Sequence, residues 1–189
     1  MSPESQEIVR APLRVRERSS RTLDQRFSLH FPRLGALNAR LNGKLPPTSR
    51  LRRAALARAV RLASEAYNRR DLDAVVIGWH PECEYIPGSA WIESGLVESC
   101  YHGLEGYRRF IAVTSEVWGT ENYLKPVELI DLGDRFVILA NLPMRAQARS
   151  GVSLTEAFAN VATLKDGRPF RLQEYYDHAE ALEAVGLAE

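Results

Sequence analysis

The sequence predicts an α+β domain in which helices pack against an antiparallel sheet. Over residues 49–118, apolar residues recur at the spacing of three or four that amphipathic helices require, whereas residues 123–176 form apolar runs separated by turn signals. Helices followed by a run of strands are typical of α+β folds. The length of 189 residues suits one core and an extension, because independent cores usually form at roughly 100–150 residues.

An amphipathic helical arm is predicted over residues 20–45. Leucines recur there at helical spacing, Pro32 suits a first helical turn, and Pro46-Pro47 end the element. The apolar stripe must pack on something, because too little else in the arm could form a core. We therefore divide the chain into a basic helical N-terminal extension, 1–48, and one domain, 49–189. The leucines of the stripe are Leu34, Leu37, Leu41 and Leu45.

Charge is divided unevenly along the chain. Residues 1–70 hold sixteen basic and five acidic side chains, and residues 71–189 hold nine and nineteen. An Arg-rich arm can contact nucleic acid or anionic lipid, which both offer phosphate. It can equally be a solvated helix face that docks on the acidic half of its own chain or of a partner. We favour docking, because no groove-reading motif accompanies the charge.

Three helices are predicted between the arm and the strands. The first begins at Thr48 or Ser49 and ends near Asn68, and a short helix and a longer third helix follow. Arg52 lies mostly off the apolar face of the first helix. The residues expected to face inward on that helix are Leu51, Ala55, Ala59, Leu62, Ala63 and Ala66.

The strand predicted at residues 135–147 is apolar on both faces. In a sheet with one solvent-exposed face, apolar and polar residues should alternate along the strand instead. The second face therefore needs to be covered, and a second copy of the chain is the simplest cover. We therefore expect a homodimer in which Phe136, Ile138 and Leu142 lie on the outer face. The strands are predicted at about 123–132, 135–147, 152–165 and 169–176, after a short one at Cys83–Pro87.

Several classes of protein are excluded or disfavoured by what the sequence lacks. The longest apolar runs fall far short of the roughly 20 residues of a membrane span, and the N-terminus lacks the pattern of a signal peptide, so we expect a cytoplasmic protein. Cys83 and Cys100 have no neighbouring ligand at metal-binding spacing. No phosphate-binding glycine loop or nucleophile elbow is present. We expect no metal and no cofactor.

Four sequence segments, which occur in the same order as in the family, resemble the SnoaL-like, nuclear-transport-factor-2-like superfamily, which includes ketosteroid isomerase. The resemblance covers about residues 49–189. It implies a curved antiparallel sheet wrapped against three helices to form a cone with an apolar cavity. Members include isomerases, polyketide cyclases, dehydratases, epoxide hydrolases and non-catalytic binders. The four segments are Glu65-Ala66-Tyr67-Asn68-Arg69-Arg70-Asp71-Leu72-Asp73-Ala74, His80-Pro81-Glu82-Cys83-Glu84-Tyr85, Tyr101-His102-Gly103-Leu104-Glu105-Gly106 and Ile130-Asp131-Leu132-Gly133-Asp134.

The catalytic groups of the resembling enzymes are not retained. Matched by motif, the base of ketosteroid isomerase falls near Pro87, its tyrosine near Ala63 and its oxyanion aspartate near Asn160. The acid of the cyclases falls at Asn160 as well. An amide cannot take up a proton as a base, although it can donate to a carbonyl or enolate oxygen.

Strand alternation offers two substitute acids. If Asn160 points into the cone, Glu156 and Phe158 share its face, and the last strand brings Glu174 and Tyr176 inside. A carboxylate in an apolar pocket has a raised pKa, and a second carboxylate raises one of the pair further, which suits general acid–base chemistry. Alternatively, one Glu lies at the mouth and pairs with Arg145 or Arg171.

These residues predict a pocket protein that binds or converts a small apolar polycyclic or carbonyl metabolite. As an enzyme it would be an isomerase, cyclase or hydratase with Glu174, Asn160 and Glu156 as the catalytic candidates. A non-catalytic ligand-binding or dimeric module, or an arm that tethers the domain to nucleic acid or membrane, are the alternatives. The candidate ligand-binding residues are Tyr85, Tyr176, Asn141, Phe158, Tyr107 and, in the long loop after Gly88, Trp91.

Overall fold

The computed structural model describes residues 8–118, 123–145 and 153–187, with side chains described except at 117, 118, 143–145 and 153–156. Helices and a seven-stranded sheet confirm the predicted α+β class. No helix in the described ranges is both long enough and apolar enough to span a bilayer.

The N-terminal extension contributes a strand and two helices. Strand β1, Val9–Pro12, pairs antiparallel with β4, Lys125–Asp131, at the edge of the sheet. Strand β1 is not predicted from the sequence, because four residues are too few to show a period of two. Helices α1, Leu23–His30, and α2, Pro32–Gly43, form the predicted arm.

Helix α1 begins with a capping box, and one residue of that box also contacts the domain. Thr22 and Gln25 form a capping box, in which the Thr22 hydroxyl accepts from the Gln25 amide N–H and the Gln25 side chain accepts from Thr22 N–H. Gln25 is buried and donates Nε2–H to the carbonyl oxygen of Leu62 at 2.9 Å. The arm therefore meets the domain through a polar contact.

Four helices follow before the main strands. They are α3, Arg50–Asn68, α4, Leu72–Val75, α5, Ser89–Glu93, and α6, Gly103–Trp118, with a 3₁₀ turn at Val76–Gly78. The face predicted for α3 was wrong at its N-terminal end. Leu51 is 65% exposed, whereas Arg52 is buried. The reason is an ion pair, in which Arg52 Nε donates to Asp131 Oδ2 at 2.7 Å.

The remaining strands are β2, Glu84–Ile86, β3, Tyr101–His102, β5, Arg135–Arg145, β6, Ser153–Lys165, and β7, Arg168–Tyr175. The sheet has the spatial order β1-β4-β5-β6-β7-β2-β3. Its neighbours pair antiparallel except β2 and β7, which run parallel. Register shifts at Pro126/Glu128 and Thr163/Leu164 mark bulges, which bend and twist a sheet.

The two faces of β5 are the reverse of the prediction. Phe136, Ile138 and Leu142 line the internal cavity, so the dimer surface predicted from them was wrong. Val137 and Leu139 lie on the outer face. The division of β5 into two alternating faces was predicted correctly. Which face points inward follows only from the pairing with β6, which sets Ile138 opposite Asn160.

The outer face of β5 has a cover within the same chain. Helix α7, His178–Glu183, begins at Asp177, whose carboxylate accepts from the amide N–H groups of Ala179 and Glu180. Its buried Ala181 packs with Val137, Leu139 and Ala159. An apolar outer strand face therefore does not by itself require a second copy.

Candidate functional site

A cavity of about 420 Å³ lies between the inner face of the sheet and the helices. Volumes of roughly 300–1,000 Å³ are typical of small-molecule sites. The arm takes part in its wall, because Gln25 and Ser28 of α1 and Asn38 and Ala39 of α2 line it. The cavity predicted from the sequence lay within residues 49–189 alone, so the N-terminal extension is an additional part of the site.

Glu174 is a buried acidic side chain in the wall of the cavity. It is 6% exposed. Its Oε2 accepts from the amide N–H of Gly88 at 3.1 Å, and its Oε1 accepts from the hydroxyl of Tyr176 at 3.2 Å. The side chain of Tyr85 is a further hydrogen-bond partner. All three donors are neutral.

Burial raises the pKa of the Glu174 carboxyl from 4.5 to about 7, because the charged form is desolvated. The hydrogen bonds from Gly88, Tyr176 and Tyr85 oppose this shift by stabilising the carboxylate, but they are the smaller effect. Arg171, the predicted alternative partner, instead donates to Glu84 at 3.0 Å on the exposed side. Within the described part of the chain, Glu174 has no ion-pair partner.

A hydrogen-bonded chain connects Glu174 to the segment predicted as a loop. Trp91 Nε1–H donates to the Tyr176 hydroxyl oxygen at 2.7 Å, and this hydroxyl donates to Glu174. Trp91 lies on α5 and is buried. It is therefore an anchored wall residue of the cavity and not an exposed lid.

Gly88 allows this segment to approach β7 closely. A Cβ atom at Gly88 would lie 2.5 Å from Cε2 and 2.8 Å from Cδ2 of Tyr176. Only glycine leaves room for the ring while its own N–H reaches Glu174. The sequence analysis noted this glycine only as the start of a long loop.

Asn160 lies beside Glu174 on the inner face of the sheet. The two residues are register partners on β6 and β7, and both line the cavity. The side-chain oxygen of Asn160 is buried and, within the described part of the protein, has no hydrogen-bond partner. Buried polar atoms are almost always paired, so this oxygen is available to a donor on a ligand or to a water molecule.

Aromatic rings form the wall that faces these two residues. Tyr85 and Tyr107 are buried, with ring centroids 4.9 Å apart, and Trp79 lies 4.6 Å from Tyr107. Phe158 lies on the sheet side of the cavity, with its ring 5.9 Å from that of Tyr176. Sequence reasoning placed Tyr85, Tyr107 and Phe158 correctly in this wall.

Arg70 is a cavity residue that the sequence analysis missed. It lines the cavity, and its guanidinium carbon lies 5.3 Å from the centroid of the Tyr67 ring. Its φ of 64° is unusual for a residue with a side chain, and such backbone strain is concentrated at functional sites. The sequence Arg69-Arg70-Asp71 shows only a turn after a helix, so no local pattern distinguishes Arg70.

Two predicted site residues have other outcomes. Asn141, predicted to bind the ligand, lies on β5 between Ala140 and Leu142 and is not among the described residues that line the cavity. It was assigned inward together with Val137 and Leu139, and it shares the outer face with them. The side chain of Glu156 lies outside the described residues.

Neither a protein-family model nor a curated protein matches the sequence. Solved structures do match. TerC, co-crystallised with polyporic acid, is 25% identical with a TM-score of 0.55, and the match covers 68% of this chain and 95% of TerC. A nuclear-transport-factor-2-like protein of unknown function from Burkholderia pseudomallei K96243 is 28% identical with a TM-score of 0.55, covering 68% of this chain and 95% of its own.

A SnoaL-like protein of unknown function from Burkholderia thailandensis E264 is 14% identical with a TM-score of 0.53, covering 69% of this chain and 99% of its own. These similarities confirm the resemblance seen in the sequence. The chain has the fold of the SnoaL-like, nuclear-transport-factor-2-like superfamily.

Proposed function

We propose that this protein holds one small, mostly apolar organic molecule in the cone and exchanges a proton with it through Glu174. The reaction class is isomerisation, cyclisation or hydration next to a carbonyl or enol oxygen. The observation that carries the proposal is a buried carboxyl in the wall of a largely apolar cavity, whose hydrogen-bond donors in the described part of the chain are all neutral.

The pKa of Glu174 suits a proton carrier. With a pKa of about 7, both forms are populated near neutral pH, so the same group can take a proton and return it. A structural carboxylate paired with arginine is instead held ionised, as Asp71 is, whose pKa the Arg21 guanidinium lowers to about 2. The environment of Glu174 therefore favours proton transfer over permanent charge.

The other polar groups suit an oxygen on the ligand. The Asn160 side chain offers an amide that can donate to a carbonyl or enolate oxygen, and Arg70 supplies positive charge to the cavity wall. We infer a ligand with an acidic or carbonyl oxygen on an otherwise apolar body. The co-crystallisation of the similar protein TerC with polyporic acid supports this class.

Binding can be tested with polyporic acid as the probe. Trp79 and Trp91 line the cavity, so a ligand should quench tryptophan fluorescence. Asn160→Ala should weaken binding at least about tenfold, the loss expected when a buried hydrogen bond is removed. Asn141→Ala, on the outer face of β5, is the matched control and should bind as the wild type does.

Proton transfer can be tested with 2-tetralone, an apolar bicyclic ketone with exchangeable α-hydrogens. We expect the wild type to accelerate deuterium uptake from D₂O, followed by proton NMR, and Glu174→Gln to abolish the acceleration while keeping the fold. Binding of a ligand with no acceleration by the wild type contradicts the catalytic part of the proposal. It would leave the non-catalytic ligand-binding function.

A further inference from the structure

Helices α1 and α2 expose a continuous apolar stripe. Its six side chains succeed one another by three or four residues, which is the helical period, and they are 45–81% exposed. The rings of Phe27 and Phe31 lie 4.9 Å apart and join the two helices into one ridge. The stripe consists of Leu23, Phe27, Phe31, Leu34, Leu37 and Leu41.

The opposite face of the arm is the one that meets the domain, and it is polar or small. Gln25 is buried there, and a Cβ atom at Gly43 would lie 2.7 Å from Gly167 Cα. An arm that only completes the core would turn its leucines inward, whereas the sequence predicted only that they pack on this domain or on a partner. The orientation is the reverse, so the apolar stripe is presented to something outside the chain.

Arginines follow the stripe at a fixed interval. Arg26, Arg33 and Arg40 are exposed, and each directly precedes an apolar member of the stripe, so Arg26 flanks the stripe on α1 and Arg33 and Arg40 flank it along one side of α2. Arg26 and Arg33 have no ion-pair partner within the described ranges, whereas Arg40 pairs loosely with Asp166 at 3.5 Å. Asp24 is the one acid among residues 23–45, and it pairs with Arg58.

We propose that α1 and α2 dock this protein on an anionic phospholipid surface. The stripe enters the boundary between head groups and acyl chains, and the flanking arginines bind the lipid phosphates. Charge complementarity favours an anionic surface over a second copy as the occupant, because a second copy would present the same arginines and, among residues 23–45, Asp24 as the one acid. It also decides against nucleic acid, which would leave the six apolar side chains without a use.

Vesicle flotation with the full chain tests the proposal. The wild type should float with phosphatidylglycerol vesicles, less with phosphatidylcholine vesicles, and less again as salt is raised. Phe27→Ser with Leu37→Ser should lower binding at least about tenfold, because two apolar anchors are lost. Arg26→Gln with Arg33→Gln should lower binding to phosphatidylglycerol about 25-fold, at about fivefold per charge.

Leu96→Ser is the matched control, since Leu96 is a similarly exposed leucine away from the arm. It should bind as the wild type does, and circular dichroism should show all variants folded. The proposal is overturned if the wild type does not float, or if the apolar double variant floats unchanged. It is also overturned if the wild type sediments as a dimer that Phe27→Ser with Leu37→Ser dissociates, or if it binds DNA with an affinity that this variant retains.

Discussion

Trp91 donates its indole N–H to the hydroxyl oxygen of Tyr176 at 2.7 Å, a contact between a segment that the sequence predicts as loop and the end of the last strand. Because the same hydroxyl donates to Glu174, the contact ties the position of α5 to the electrostatics of the candidate acid. A substitution at Trp91 or Tyr176 should therefore change both the free energy of unfolding and the pKa of Glu174.

Tyr176→Phe should raise the pKa of Glu174 above its value of about 7. The substitution removes a donor that stabilises the carboxylate, and desolvation then acts with less opposition. It should also cost about 1–3 kcal/mol of folding free energy, since the indole N–H loses its acceptor in a buried site. Carbon NMR titration and urea denaturation measure the two effects. Tyr175→Phe, at the neighbouring position outside the cavity, should change neither, and a lowered pKa in Tyr176→Phe would contradict the network.

Glu174→Gln should alter how stability depends on pH. The folded pKa is raised above the unfolded one, so the native state binds the proton more tightly, and this contribution favours folding at low pH and is lost as pH rises through about 7. Gln stays neutral, so the variant should match the wild type near about pH 4 and exceed it by about 3 kcal/mol in mildly alkaline solution. Denaturant midpoints across this range measure the difference.

Glu183→Gln, which removes an exposed carboxylate on α7, is the control for Glu174→Gln. It should shift the whole profile little. A Glu174→Gln variant that is less stable than the wild type at neutral pH would show that the carboxylate is held ionised, and the proton-carrier role would fail.

Gly88→Ala should destabilise the protein by about 1–3 kcal/mol and weaken polyporic acid binding. The new methyl group would lie 2.5 Å from the Tyr176 ring, so either the ring or the segment must move, and the hydrogen bond from Gly88 to Glu174 lengthens. Gly78→Ala is the matched control, because nothing lies within 4 Å of its added Cβ. Equal stability of the two variants would show that the approach at Gly88 is not tight.

Arg52→Ala should cost about 3–5 kcal/mol, because it leaves the buried carboxylate of Asp131 without its counter-charge. The guanidinium also donates to the carbonyl oxygens of Gly43, Leu45 and Gly133, so it joins α3 to the end of the arm and to the turn after β4. Urea denaturation measures the loss. Arg53→Ala, one residue along the helix, should cost much less, and a similar loss in both variants would contradict a specific role for the pair.

Most of the predicted helices and strands are present in the structure, because the sequence patterns that predict them extend over only a few residues. The capping residues Ser49, Asp71 and Asp177 each accept hydrogen bonds from the first turn of the helix that follows them. Alternation along β6 and β7 correctly placed Asn160 and Glu174 on one inner face. The short strand β1 was not predicted, because its four residues show no period and its ladder in the described part of the chain is formed with β4, which is distant in sequence.

The sequence by itself determined the fold class, the order of the helices and main strands, and the acid at the centre of the candidate site, since periodicity and capping act over a few residues. The tertiary structure alone decided which face of β5 is inside, that Arg52 is buried, that Arg70 and the arm line the cavity, and that the leucines of the arm point outward. An alternating or amphipathic pattern defines two faces of an element but does not show which of them is buried, because burial depends on the register and packing of elements far apart in the chain.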